Sequence, residues 1–349
     1  MTRTRTTTAI AVPRTRGLTM LAVLVLTSVI GAAIGLVITA TAPIPGLPEP
    51  AVVVRVGIPV IRVVLDVAAV VTIGLSILPL LIGFDRPKLA EPVLASTRVV
   101  AMVSSLTWAV AALAALVVQA AELQPEGAVS FGVLADYVDT VGAGKALLFV
   151  AVFALISAGI GAWSVRAGEV VPAELRSAVA LFALLPLPVT GHATNWRWHD
   201  FTMISMELHV MAAVAWTGGL GAVATLLATN RTLLAAALPK FSRLATICLV
   251  VVGITGLFNA FAELLVKPGG DMVGTLWADL FGTGYGLIVV GKVLCFIALG
   301  VVGATIRWRL LPGIERHQPT TLIQWAALEL GVFGLAFGLA VALTRAPVS

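Results

Sequence analysis

Nine stretches of mostly apolar residues divide this chain, near residues 17–41, 58–84, 97–119, 146–166, 175–191, 203–229, 241–265, 284–306 and 322–344. A helix rising ~1.5 Å per residue needs about 20 such residues to cross ~30 Å of hydrocarbon. Lipid offers backbone N–H and C=O groups no partners, so each stretch is predicted to be a helix that satisfies its own backbone. With 59% hydrophobic and 11% charged residues among 349, the chain reads as all-α, a polytopic membrane bundle of nine transmembrane helices. The first stretch follows Arg3, Arg5, Arg14 and Arg16 and ends at Ala40-Thr41-Ala42, which looks like a leader-cleavage site. Its apolar run exceeds the roughly 7–15 residues of a signal peptide, and Pro43 follows directly, so it is read as a retained helix.

The basic residues orient the bundle. With the N-terminus in the cytoplasm, Arg55, Lys145, Arg197, Lys267 and Arg345 fall outside, Arg62 and Lys292 fall within spans, and the other fifteen of the 22 lysines and arginines fall inside. That asymmetry is the positive-inside pattern. The expected organisation is a basic cytoplasmic tail over 1–16, a four-helix membrane region over 17–170 and a five-helix membrane region over 171–349. No basic stripe suits nucleic acid, and no glycine-rich nucleotide loop, soluble domain or internal repeat suggests ATP-driven pumping. The reading is of a transporter without catalytic residues, not of an enzyme. The outer loop 121–144, with Glu122, Glu126, Asp136 and Asp139, is expected to be solvated. Cys248 and Cys295 sit in apolar runs as small hydrophobes, minor candidates for a copper(I) path.

Residues 191–220, GHATNWRWHDFTMISMELHVMAAVAWTGGL, break the aliphatic pattern: they hold three of the four histidines, three of the seven methionines and three of the eight tryptophans. The orientation places residues 192–202 in an outer loop and the remainder descending into the membrane. Imidazole and thioether suit copper, whereas harder ions prefer carboxylates. At about 100° per residue from His199, Met203 lies at ~40°, Met206 at ~−20° and His209 at ~−80°. His209 is six residues deeper than Met203, ~9 Å along the axis. A ladder of soft ligands from an outer mouth follows. Taken singly, the methionines also suit ordinary packing, and Trp196 and Trp198 suit an interfacial aromatic belt.

Ionisable groups within spans carry a functional presumption because lipid makes them costly. Glu207 and His209 qualify, as do Asp66, Lys292 and Glu329. Arg62 and Asp66, four apart, are placed to pair. Lys292, at a depth similar to His209, is expected to need an acidic neighbour such as Glu207 or Asp66; bracing the bundle and serving an ion path are equally open roles.

From about residue 190 onward the chain resembles the copper resistance protein D family of bacterial inner-membrane copper transport proteins. The resemblance rests on GHA at 191–193, LHVMAAVAWTGGL at 208–220, FSRLATICLVVVGITG at 241–256, GTGYGLIVVGK at 282–292 and LELGVFGLAFGLAVALTRAP at 328–347. It implies a helical domain for copper uptake or tolerance, sometimes beside a periplasmic copper-binding protein. By position it singles out His192, His209, the W-x-G-G element of Trp216, Gly218 and Gly219, Lys292, and Glu329. Thr217 departs from the aliphatic residue the family more often carries there. The N-terminal half resembles the family in hydropathy alone.

Three functions are consistent with these residues. In the first, His192, His199 and Met203 capture copper, with copper(I) favoured over copper(II). Met206 and His209 then relay it, Glu207 adjusts charge, and Gly218, Gly219 and Gly221 allow close helix packing. In the second, two of His192, His199 and His209 ligate a single haem in an oxidoreductase. In the third, the protein is a non-transporting membrane partner for copper assembly of cytochrome oxidase.

Overall fold

The computed structural model describes residues 14–40, 50–124, 127–190, 199–265, 276–310 and 321–346. Among these residues there is no strand, and nine helical segments are long and apolar enough to cross a membrane. The helices are α1 (Arg14–Ile38), α2 (Val52–Ile82), α3 (Pro87–Glu122), α4 (Phe131–Thr140), α5 (Gly142–Ala167), α6 (Ala173–Phe182), α7 (His199–Ala222), α8 (Arg231–Leu265), α9 (Leu276–Gly282), α10 (Gly284–Thr305) and α11 (Leu322–Leu343).

Several elements differ from the hydropathy windows for identifiable reasons. The fifth span is not a continuous helix: α6 stops at Phe182, turns follow, and a 3₁₀ segment covers Leu187–Thr190. Pro186 and Pro188 remove two backbone donors there, so an α-helical ladder is not sustained. Helix α3 starts ten residues before its window, with Pro87 in its first turn and Glu91 in an ion pair with Arg98. The loop 121–144 is not wholly irregular either: Ser130 caps α4 by accepting from the Val133 N–H at 3.3 Å. Glu126 lies outside the described residues, and Glu122 is ion-paired with Arg345.

Helix α2 occupies the centre, buried over most of its length and packed against α3, α6, α7 and α8. It ends at Gly83, whose φ of 77° favours glycine, with its N–H on the Pro79 carbonyl. Helices α3 and α5 pair on one side, α7 and α8 on the other. Helix α1 packs along α11, in register from Val23 and Thr27 beside Gly331 through Gly35 beside Ala342. The two therefore run parallel, as an odd number of spans requires of the first and ninth. Their seam is made of small residues, Gly31, Gly35, Gly334 and Gly338 among them, which lets the backbones meet closely.

At the end assigned to the cytoplasm, Arg98, only 4% exposed, binds Glu91 through two bonds of 2.8 and 3.0 Å and Glu169 at 2.7 Å. The other Glu169 oxygen accepts from Arg176 at 3.0 Å. One carboxylate thus ties α3 to α6 through the α5–α6 link. Glu169→Ala is expected to cost about 2 kcal/mol, because it strips a partner from two buried guanidiniums while Glu91 still holds one of them. A lowered unfolding temperature in detergent, partly restored by Glu169→Gln, checks this.

Candidate functional site

Helix α7 presents Ser205, Met206 and His209 to α8, where Thr255, Gly256 and Asn259 recur at helical spacing. Gly256 makes room for the imidazole, since a Cβ there would lie 3.2 Å from His209 Cε1. His209 Nδ1 lies 3.0 Å from Thr255 Oγ1. The Thr255 hydroxyl has one proton, and that proton goes to the Val251 carbonyl at 2.5 Å. A ring protonated at Nδ1 satisfies this contact and keeps its lone pair on Nε2, and the Val252 backbone lies within hydrogen-bonding reach of the ring as well. A histidine prepared to bind metal through one nitrogen is commonly held this way through the other.

One turn above, Met206 Sδ receives a weak 3.8 Å contact from Asn259 Nδ2. The Asn259 Oδ1 is buried and has no protein partner among the described residues. Imidazole nitrogen, thioether sulfur and amide oxygen thus meet along one seam. Met203 is buried on the same helix, and Glu207 is half-buried with no ion pair among the described residues. His192 lies outside the described residues, as does the side chain of His199.

The remaining charges sort differently. Asp66 pairs with Arg62 at 3.2 Å, and Arg62 Nη1 donates to Thr190 Oγ1 at 2.7 Å, anchoring α2 to the residue just before the Gly191-His192-Ala193 segment. Lys292 does not have the expected acidic neighbour: among the described residues it forms no ion pair. Asp66 is already taken by Arg62, and the Lys292 side chain instead lies near His209 and Cys295. Cys248 and Cys295 are free and buried.

Deeper along α7, Trp216 Nε1 donates to Glu329 Oε1 at 2.9 Å, and its ring meets Phe333 edge-on with centroids 4.9 Å apart. Gly218 lies against Gly74 and the Val70 carbonyl of α2, so close that a Cβ on either glycine would strike the other helix's backbone. Gly219 faces the Phe241 ring, and Thr217 satisfies its hydroxyl on the Ala213 carbonyl at 2.8 Å. Sequence reading did not single out Thr255, Asn259 or Gly74. Thr255 and Asn259 are uncharged and ordinary in such helices, and their pairing with α7 exists only once α8 is in place.

The profile for copper resistance protein D matches residues 235–343, and that for a copper resistance protein D-like N-terminal domain matches residues 52–200. The N-terminal half, which the motifs left open, is therefore part of the same likeness, and α7 lies mainly between the two matches. No curated protein and no solved structure matches the chain. Nine apolar spans and both halves matched in order make this a multi-pass membrane protein of the copper resistance protein D family, with a role in copper resistance or transport.

Proposed function

We propose that the protein carries copper across the bacterial plasma membrane along α7, with His209 as the central ligand. The observation behind this reading is the 3.0 Å contact between His209 Nδ1 and the Thr255 hydroxyl, which also bonds the Val251 carbonyl; the tautomer that donates through Nδ1 offers Nε2 as a metal ligand. Met206 supplies a thioether one turn away, and this nitrogen and sulfur pair favours copper(I). His192, His199 and Met203 collect the ion at the extracytoplasmic mouth, where a periplasmic copper-binding protein delivers or receives it. Copper is cargo here, passing from ligand to ligand.

Thr255→Val keeps the shape of the side chain and removes the acceptor that fixes the imidazole. Copper(I) affinity of the purified protein, measured by competition with a chelator in lipid nanodiscs, is expected to fall by about 10- to 100-fold. Thr255→Ser should retain wild-type affinity. Equal affinity in Thr255→Val and wild type would remove the support for this site.

A further inference from the structure

Glu329 on α11 is 2% exposed, and its hydrogen bond from Trp216 Nε1 is its one polar contact among the described residues. The elements packed on α11 carry other charged or titratable groups: Arg16 on α1, the Arg62–Asp66 pair on α2, Glu207 and His209 on α7, Lys292 on α10, and Arg307 beyond it. None of them forms an ion pair with Glu329 or adds a charge interaction at its carboxyl. An ionisable side chain held at such depth without a counter-charge commonly marks a proton-carrying site.

Copper makes a specific demand on this bundle. Imidazole, thioether and amide ligands are all neutral, so a bound copper(I) ion adds one positive charge to an interior where the Lys292 side chain already lies near His209 without a carboxylate partner among the described residues. Asp66 is committed to Arg62. Glu329 is uncommitted, and Trp216 joins it to the helix that carries the copper ligands, seven residues or ~10 Å beyond His209.

We propose that Glu329 exchanges a proton against copper, an inference that rests on the copper reading above. When copper(I) enters the seam, the Glu329 carboxylic acid releases its proton to the side from which copper came, and the carboxylate left behind balances the added charge. When copper leaves on the other side, the carboxylate takes a proton from that side. One proton moves against each copper ion, the interior charge is constant through the cycle, and an acidic exterior drives copper outward.

The test is simultaneous recording of copper(I) and lumen pH in proteoliposomes holding the purified full chain and a trapped pH dye. Inward copper flux through the wild type should make the lumen alkaline in proportion to the copper delivered. Glu329→Gln keeps a carbonyl oxygen for the Trp216 indole, so the brace survives; its proton signal per copper should fall at least tenfold. Glu174→Gln, at an exposed carboxylate on α6, should leave that signal intact. Wild-type copper flux without a lumen pH change overturns the exchange while leaving copper transport standing, and this arm needs no variant to fold. A proton signal retained in Glu329→Gln, or lost in Glu174→Gln, also overturns it. Absence of copper flux in the wild type overturns the transport reading and the exchange together.

Discussion

Cells expressing His209→Ala should lose the copper phenotype of the wild type, and the purified variant should bind copper(I) more weakly by on the order of 10²-fold or more. Thr255→Val removes a supporting contact; His209→Ala removes the donor atom, so its effect should be the greater of the two. The fold should tolerate the change, because His209 is half-buried at a seam where Gly256 already leaves space and Thr255 keeps its bond to Val251. Metal content of purified protein and copper content of cells are the two readouts. A protein that only docks a copper chaperone for oxidase assembly predicts unchanged cellular copper with reduced oxidase activity. A haem protein predicts a stoichiometric Soret band in the wild type that is lost on substitution. Either outcome would sink the transport reading.

The second large effect is expected at the crossing of α2 and α7. A Cβ at Gly218 meets the Val70 carbonyl and the Gly74 backbone, and a peptide backbone has no alternative rotamer with which to give way. Gly218→Ala should destabilise by about 2 kcal/mol, and Gly218→Val by about 3 kcal/mol or more, enough to deplete folded protein. Size-exclusion profiles and thermal unfolding in detergent measure it. Adding Gly74→Ala to Gly218→Ala should cost less than the sum of the two single changes, since one separation of the helices relieves both clashes. Fully additive losses would mean that the two glycines do not share a contact.

The membrane architecture was legible because apolar length is a property of single segments. Helix ends were not, where charge is resolved by partners far along the chain: Arg98 reads as a boundary residue, yet Glu91 and Glu169 enclose it. The fifth span shows the converse, since its hydropathy is continuous while Pro186 and Pro188 interrupt its hydrogen bonding. His209 and Glu329 stood out in the sequence because ionisable groups are scarce in apolar runs. Thr255 and Asn259 did not, for their importance lies in which helix they face. Lys292 shows the limit of charge reasoning, as a buried ammonium suggested a carboxylate partner and none of the described carboxylates supplies one.

The parallel seam between α1 and α11 also bears on assembly. These two helices are each other's main partners, yet about four fifths of this chain is synthesised between them. Until α11 emerges, the small-residue face of α1 lacks its main partner, while α2 can already meet α3, α6 and α7. The pairing of α1 with α11 therefore forms later than the contacts among the helices between them. Ribosome stalling or truncation ahead of Gly331 should leave α1 exposed to membrane quality control even when the helices between have packed correctly.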